Sequence, residues 1–258
     1  QINNQNVKEL QVAWQFQTGD LKTANDPGEI TDEVTPIKIR DTLYLCSPHQ
    51  ILFALDATTG KRCPSFANNG ELDLQHSQPV KTSGQYEPTS PPVITDTTIV
   101  IAGAVTDNYS TREPSGAIRG FDVNTGKLQW VFDPGAKDPN AIPADEHTFT
   151  MNSLNSWAPA VYDPKLDTVY LPMGVTTPDI WGGNRTPEQE RYASSVLALN
   201  ATTGKLVWSY QTVHHDLWDM DLPSQPTLAD ITDKDGNTVP VIYAPAKTGN
   251  IFVLDRRT

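Results

Sequence analysis

Three copies of one ten-residue pattern run through the sequence: LFALDATTGK at 52–61, IRGFDVNTGK at 118–127 and VLALNATTGK at 196–205. A fourth copy begins with IFVLD at 251–255. Each copy combines a short apolar strand with a tight turn, in which the Asp or Asn side chain hydrogen-bonds the turn backbone and Gly adopts a positive φ at little steric cost. The pattern therefore predicts a β-hairpin that recurs along the chain.

Further strands accompany these hairpins. Two hairpins return through a strand that carries a tryptophan, LQWVF at 128–132 and LVWSY at 206–210, and two shorter apolar segments precede each hairpin, such as 90–94 and 98–102. Four strands per repeat are typical of the blades of a β-propeller. We therefore predict an all-β chain of about four four-stranded antiparallel blades, with VAWQFQTG at 12–19 as the last strand of a further blade.

The repeat is broken in two places. After the first hairpin, Pro64 stands where the other copies have Trp130 and Trp208. Because proline is a poor residue for a central strand, we expect this strand to be absent or to lie at an edge. The fourth repeat stops before its final strand. Both breaks predict an incomplete propeller.

The composition excludes some functions. The chain has 31 acidic and 19 basic residues and a net charge of -12, which argues against a surface for nucleic acid. No segment approaches the ~18 apolar residues of a membrane span. Cys46 and Cys63 are too few for a disulfide framework. They either pair in an oxidising compartment or remain thiols.

Three long loops hold most of the polar chemistry, at 105–116, 174–185 and 213–223. The last one places two imidazoles and three carboxylates around one tryptophan, His214 to Asp221. Such a group can ligate a divalent cation or supply a general base. The alternative is a solvated acidic loop whose aspartates form turns.

The other candidates also have ordinary explanations, taken one residue at a time. Asp107 and Asn108 suit an Asx turn, Trp157 suits the core of a blade, and Lys247 suits a solvated turn. From the residue types alone, both interpretations of each position stay open.

Longer segments add a resemblance to a known family. The sequence DPGEIT at 26–31, TTPDIWGGNRTPE at 176–188, HHDLWDMDLP at 214–223 and AKTGNI at 246–251 resemble the membrane-bound quinoprotein glucose dehydrogenases of Gram-negative bacteria, which depend on pyrroloquinoline quinone (PQQ). The hairpin tryptophans likewise resemble the tryptophan-docking motif of the wider quinoprotein alcohol dehydrogenase group. The resemblance covers essentially the whole chain.

The resemblance implies a fold and an activity. It implies an eight-bladed propeller with PQQ in a central pocket beside Mg²⁺ or Ca²⁺. The implied reaction oxidises D-glucose or another aldose to its lactone and passes the electrons to ubiquinone. It also implies a periplasmic protein that an N-terminal segment, absent from this chain, anchors to the inner membrane.

Residue roles follow from the resemblance where the motifs match. Asp219 matches the catalytic carboxylate, which takes the proton of the anomeric hydroxyl. Lys247 matches the lysine that hydrogen-bonds the quinone oxygens, and Trp157 matches the tryptophan on which the flat cofactor stacks. The cofactor and metal positions are completed by three oxygen donors, Asp107, Asn108 and Thr177.

The chain also departs from the family pattern. Family members are far longer, so residues 1–258 are expected to be part of a quinoprotein β-propeller domain without the blades that follow the fourth. At 61–62 the sequence skips about one blade, which in the family includes a histidine close to the cofactor. Two other functions remain as alternatives: a related PQQ-dependent alcohol or polyol dehydrogenase, and a non-enzymatic β-propeller that binds or assembles other proteins.

Overall fold

The computed structural model describes residues 2–26, 32, 34–82, 84–144 and 147–258. The strands, in chain order, are β1 (Ile37–Ile39), β2 (Thr42–Cys46), β3 (Ile51–Asp56), β4 (Glu71–Asp73), β5 (Tyr86–Glu87), β6 (Val93–Ile94), β7 (Thr98–Ile101), β8 (Ala104–Val105), β9 (Ile118–Asp122), β10 (Leu128–Phe132), β11 (Val161–Asp163), β12 (Thr168–Pro172), β13 (Ser195–Asn200), β14 (Leu206–Gln211), β15 (Thr227–Thr232), β16 (Thr238–Pro245) and β17 (Ile251–Asp255). A 3₁₀ turn (Val7–Glu9) and one α-helix, α1 (Pro187–Tyr192), complete the regular structure of these residues. Within the described ranges, no helix is long and apolar enough to cross a membrane.

The strands form four antiparallel blades. The first has the order β1-β2-β3-β4, the second β6-β7-β9-β10, the third β11-β12-β13-β14, and the fourth contains β15-β16-β17. Strands β5 and β8 pair separately. The predicted all-β fold of blades is therefore confirmed, and every predicted hairpin strand with a tryptophan lies at the edge of its blade. Most of segment 26–31, DPGEIT, lies outside the described residues.

Apolar side chains fill the spaces between neighbouring blades. In β13, Leu197 and Leu199 join the cluster shared with the second blade, whereas Val196 and Ala198 join the cluster shared with the fourth. Side chains alternate between the two faces of a strand, so one strand serves two interfaces. A third cluster, which includes Tyr44, joins the first blade to the second.

The hairpin turns have the geometry that their sequence predicts. The Asp56 carboxylate accepts hydrogen bonds from the backbone N–H of Thr58 and Thr59, at 3.2 and 2.7 Å. Asp122 and Asn200 make equivalent contacts in the second and third turns. The glycine of each turn has φ near +70°, which closes the turn without steric strain.

Tryptophans join the second blade to the third and the third blade to the fourth. The Trp130 indole of the second blade packs against Gly204 in the turn of the third blade. Its Nε1 donates to the Ala201 carbonyl at 3.1 Å. Trp208 of the third blade donates in the same way to the Arg256 carbonyl of the fourth, at 3.2 Å. These contacts have the form of the tryptophan-docking motif.

The N-terminal segment makes a docking contact without forming a strand. Residues 12–19 are not part of any sheet, so the prediction of a strand there is wrong. However, Trp14 Nε1 donates to the Ala57 carbonyl at 3.2 Å, and the indole covers Gly60 in the first turn. The contact was predictable because it depends on one tryptophan, whereas a strand needs a neighbouring ladder.

The first blade differs from the others where the sequence breaks its pattern. The expected return strand near Pro64 is reduced to an isolated bridge between Leu55 and Arg62, and β4 supplies the edge of the blade instead. Ala67 takes the place of a docking tryptophan, since its backbone N–H donates to the Thr125 carbonyl at 3.0 Å. The predicted absence of an inner strand at this proline is therefore confirmed.

The two cysteines are free thiols in the structure. Burial raises the pKa of the Cys46 thiol to about 12, which keeps it protonated and unreactive at neutral pH. The structure therefore has two unpaired thiols rather than a disulfide.

A histidine fastens the N-terminal segment to the first blade. The His49 ring contacts Asp20 through Nδ1, and its Nε2 lies 2.9 Å from Asp26 Oδ1. Hydrogen bonds to these two carboxylates raise the pKa of His49. For Asp20, burial opposes ionisation, but hydrogen bonds from Ser47 and His49 outweigh it and lower its pKa. A protonated His49 therefore stabilises the attachment of residues 20–26.

A glycine substitution tests the docking contact. A Cβ at position 204 would overlap the Trp130 ring, whereas a Cβ at position 236 would have nothing within 4 Å. Both glycines have a positive φ, +67° at Gly204 and +84° at Gly236. We expect Gly236→Ala to cost about 1 kcal/mol of unfolding free energy and Gly204→Ala about 2–4 kcal/mol, because only the latter adds overpacking. Urea unfolding measures both, and equal costs would contradict the docking role.

The attachment by His49 predicts a pH dependence. Because the folded pKa of His49 lies above 6.5, its stabilisation is complete below that pH and is lost as the pH rises through the folded pKa. We expect His49→Gln to destabilise by about 1 kcal/mol near pH 6 and by much less near pH 9, since solvent screens partly exposed pairs. Chemical denaturation at both pH values measures this, with the exposed His76→Gln as control. A loss that does not change with pH would rule out the ion pair.

Candidate active site

The three long loops and the turn after β16 enclose one pocket of about 200 Å³. Five of the six residues that the sequence singled out line it: Asp107, Trp157, Thr177, Asp219 and Lys247. Asn108 is not part of the lining but contacts two residues that are. Residues from five separate segments of the chain thus meet at one place.

A buried aspartate shapes the loop that carries Asp219. Asp216 is fully buried and accepts hydrogen bonds from the backbone N–H of Trp218 and Met220, at 2.9 and 2.7 Å, and from Ser194 Oγ at 2.6 Å. The loop therefore wraps around the Asp216 carboxylate. Within it, Asp219 has φ +57°, and its side chain is 45% exposed.

Lys247 joins two carboxylates and lies close to an indole. Its Nζ donates to Asp219 Oδ1 at 2.8 Å and to Asp221 Oδ1 at 2.7 Å. The second oxygen of Asp221 accepts from Trp157 Nε1 at 2.7 Å. Lys247 Nζ is also 6.0 Å from the centre of the Trp157 ring. Asp221 was not among the predicted residues, yet it holds both Trp157 and Lys247.

The pKa values of Asp219 and Asp221 are shifted in opposite directions. Burial and the hydrogen bond with Asp219 raise the pKa of Asp221 to about 6. For Asp219, burial is outweighed by hydrogen bonds from Asp221 and Lys247, which lower its pKa. Burial of Lys247 is likewise outweighed by its two carboxylate partners, which raise its pKa. At neutral pH, Asp219 is therefore ionised and Lys247 is protonated.

A second acidic pair lies elsewhere on the pocket wall. Asp179 is buried, and burial together with its contact with Asp107 raises its pKa to about 7. The Asn108 side chain braces it, because Asn108 Nδ2 donates to Asp179 Oδ2 at 2.6 Å and the Asp179 N–H donates to Asn108 Oδ1 at 2.9 Å. The Asn108 N–H donates to Thr177 Oγ1 at 2.7 Å.

Oxygen atoms dominate this wall of the pocket. Asp107, Asp179 and Thr177 supply carboxylate and hydroxyl oxygens, and Asn155, which also lines the pocket, has a buried Oδ1 without a hydrogen-bond partner among the described residues. Hard divalent cations prefer such ligands. Within the same residues, no group of three or more His, Cys, Asp or Glu side chains is suited to a metal ion, so a cation here would also need neutral oxygens.

Sequence comparison identifies the family. The sequence model of the PQQ family, described as "Glucose/ethanol/alcohol dehydrogenase, beta-propeller domain", matches residues 1–62 and 49–258. The chain belongs to this family. Its oxygen-lined wall and its indole fit the divalent cation and the flat quinone on which such dehydrogenases depend.

Individual relatives agree with this assignment. The chain is 62% identical over 320 residues to "Quinoprotein glucose dehydrogenase" of Escherichia coli (strain K12), and the match covers 100% of the chain and 40% of that protein. It is 50% identical over 327 residues to "Quinoprotein glucose dehydrogenase A" of Acinetobacter calcoaceticus, covering 100% of the chain and 41% of the relative. The chain therefore spans about two fifths of the length of these relatives.

A solved structure supports the fold. The chain resembles "Europium-containing methanol dehydrogenase" with a TM-score of 0.69 and 20% identity, over 87% of the chain and 39% of that protein. At this identity the similarity concerns the fold alone.

The alignments are longer than the chain. The alignment with the E. coli protein extends over 320 residues, whereas the chain has 258. The two matches of the family model overlap between residues 49 and 62. This region contains the first hairpin turn, after which Pro64 and Ala67 replace the usual return strand and docking tryptophan.

The remaining polar residues of the third loop lie apart from the pocket lining. His214 Nδ1 contacts Gln211 Oε1 at 2.7 Å, and His215 Nδ1 contacts Glu190 Oε1 at 2.9 Å. Both histidines therefore make exposed contacts outside the pocket lining. The sequence analysis gave no role to Asp179 and counted Asp221 only as one carboxylate of the third loop, although each lies two positions after a residue with an assigned role.

Removing the Lys247 ammonium group from between Asp219 and Asp221 tests whether the two carboxylates influence each other's pKa. In Lys247→Met the two carboxylates face each other without a positive charge, so one of them keeps its proton to a higher pH. The folded state then binds more protons than the unfolded state, and stability falls as the pH rises. We expect a destabilisation about 1–2 kcal/mol larger at pH 8 than at pH 5. Urea unfolding checks this against the exposed Lys234→Met, and an equal effect at both pH values would exclude the coupling.

Proposed function

We propose that residues 1–258 are part of a quinoprotein β-propeller domain and contribute to a PQQ- and cation-dependent dehydrogenase that oxidises D-glucose, or another aldose, to its 1,5-lactone. One observation carries the proposal: the side chains that the family resemblance assigns to the site converge on one pocket. Similarity to two glucose dehydrogenases at 62% and 50% identity supports the choice of sugar over other alcohols.

Asp219 is proposed as the general base. Its lowered pKa keeps it ionised, and its side chain is 45% exposed toward solvent. Lys247 binds Oδ1, and the ionised carboxylate is proposed to accept the proton of the anomeric hydroxyl. Bound PQQ would supply the hydride acceptor, and the divalent cation would supply a Lewis acid.

Lys247 and Trp157 are proposed to hold the cofactor. An ammonium group has three N–H donors, and the two aspartates use two of them. The third donor is available for a quinone oxygen, so cofactor binding does not require either ion pair to break. Asp221 fixes the Trp157 indole through Nε1, which presents a ring face of defined orientation to a planar ligand.

The metal position is proposed to include Asp107, Asn108 and Thr177, as the resemblance implies. Mg²⁺ and Ca²⁺ both accept oxygen ligands of these types. Further proposals concern the surroundings of the enzyme: ubiquinone as the electron acceptor, a periplasmic location, and attachment to the inner membrane through a segment outside this chain. The net charge of -12 supports the absence of a nucleic-acid partner.

A cofactor titration tests the proposal. The purified chain is titrated with PQQ in the presence of Ca²⁺ or Mg²⁺ while Trp fluorescence is followed, and reduction of a redox dye is then measured on adding glucose. Saturable quenching with glucose-dependent dye reduction is the expected result. Reduction with a polyol or a simple alcohol instead would favour the related dehydrogenases. Binding without turnover would mean that catalysis needs further blades, and a folded chain that binds no PQQ would leave only the fold and the family assignment.

Substitution of Asp219 tests its role. Asp219→Asn keeps the shape of the side chain and its contact with Lys247 but removes the basic oxygen. We expect turnover with glucose to fall by at least about 100-fold, with PQQ affinity changed little, because a general base contributes about 10²–10⁴ to the rate. The exposed Asp235→Asn is the charge-matched control. Full turnover in Asp219→Asn would assign the base elsewhere.

A further inference from the structure

A buried arginine joins the second and third of the three long loops. The Arg185 side chain is fully buried. Its Nη1 donates to the Asp216 carbonyl at 2.5 Å, and its Nη2 donates to the carbonyls of Pro178 and Asp179, at 3.3 and 3.1 Å. Asp216 belongs to the third loop, whereas the other two carbonyls belong to the second. One guanidinium group therefore connects the two loops.

The hydrogen-bond partners of this guanidinium group are main-chain oxygens. The Glu190 carboxylate lies 3.8 Å from Nη1, which is beyond hydrogen-bond distance. Burial of a charge is costly unless hydrogen bonds compensate it, and the three carbonyls compensate the burial of Arg185 in the conformation that the loops now have. Because the position of a carbonyl depends on the path of the main chain, the charge favours this one conformation of both loops.

The backbone of Arg185 is itself braced, because the residue directly precedes α1. Thr186 is the N-cap of this helix and exchanges hydrogen bonds with Gln189 in a capping box, at 2.8 and 3.3 Å. Gln189 Nε2 also donates to the Asn152 carbonyl at 2.7 Å, which attaches the helix to a neighbouring segment. The guanidinium group therefore extends toward the third loop from a fixed point.

The contact with Asp216 bears on the proposed base, Asp219. The Asp216 carboxylate accepts hydrogen bonds from the N–H groups of Trp218 and Met220, which lie on either side of Asp219. Asp219 has φ +57°, a conformation that a residue other than glycine keeps only where its surroundings enforce it. A shift of the Asp216 main chain would therefore displace the Asp219 carboxylate from its position 2.8 Å from Lys247 Nζ.

We propose that Arg185 is a positioning residue for Asp219. By binding the Asp216 carbonyl from the second loop, it fixes the third loop in the conformation that presents the base. The inference rests on the proposed function in treating Asp219 as the base, whereas the connection between the loops does not depend on it. Lysine is a poor substitute at this position, because a single ammonium group lacks the planar fork that reaches carbonyls of two loops at once.

Amide hydrogen exchange of Arg185→Lys, measured without PQQ or sugar, tests the connection. The variant keeps the charge but loses the fork. We expect the amides of Trp218 and Met220 to exchange at least about tenfold faster than in the parent, because the third loop opens locally, and the amides of β13 and β14 to stay within about threefold. The exposed Arg191→Lys is the matched control and should change neither set. Unchanged exchange in Arg185→Lys, or equal acceleration of both sets, would overturn the positioning role.

The parent chain provides a second measurement, which decides the question even if Arg185→Lys does not fold. The N–H of Arg185 donates to the Gly182 carbonyl at 3.2 Å within the second loop. If the guanidinium group joins the loops into one unit, this amide and those of Trp218 and Met220 should exchange with the same opening free energy and the same dependence on urea. Opening of the third loop at a lower free energy than the second would overturn the connection.

Turnover tests the step from the connection to catalysis. In the chain loaded with PQQ and CaCl₂, we expect Arg185→Lys to lower kcat with glucose at least about tenfold and to leave PQQ affinity within about threefold, because a displaced base slows the reaction rather than cofactor binding. Equal losses of kcat and of PQQ affinity would contradict a role through Asp219. A parent without turnover would contradict the proposed oxidation of glucose, and the exchange measurements would still decide whether Arg185 connects the loops.

Discussion

Stacking of one blade on the next is the constraint on which the rest of the chain depends, because the inner strands carry apolar side chains on both faces. In β13, Leu197 and Leu199 face one neighbouring blade and Val196 and Ala198 face the other. A single sheet of this kind cannot bury its own apolar surface. Trp130 then fixes the orientation of the second blade against the third, since its indole must meet Gly204 and its N–H the Ala201 carbonyl together.

The pocket is a consequence of this stacking. Asp107 follows β8, in the connection between β7 and β9 of the second blade, and Thr177 belongs to a loop within the third blade. Asp219 lies between the third and fourth blades, and Lys247 lies in the β16–β17 turn of the fourth. The distance between any two of these residues along the chain is large, so only the packed blades bring them together. Loops on a rigid scaffold can therefore hold charged groups at fixed separations without a local core of their own.

The sequence was most informative where a pattern repeats. Turn chemistry predicted the hairpins because one side chain and one glycine determine each turn. It did not predict β4, because Glu71–Asp73 pairs with β3 in the place of the return strand that is absent at Pro64. For a similar reason, the sequence assigned no role to Asp179 and no specific role to Asp221. Their importance comes from partners that are distant in sequence, Asn108 and Trp157, and an isolated aspartate gives no signal of such contacts.

The pocket contains two pairs of carboxylates, and among the described residues only the Asp219–Asp221 pair has a lysine partner. Lys247 gives Asp219 and Asp221 a permanent counter-charge, so the group keeps its geometry without a ligand. Asp107 and Asp179 have no such partner among the described residues, and burial together with their contact raises the pKa of Asp179 to about 7. The fixed lysine keeps the proposed base Asp219 ionised, whereas Asp179 holds its proton to a higher pH. Among the described residues, the pocket therefore has one carboxylate pair with a lysine as counter-charge and one pair without a counter-charge.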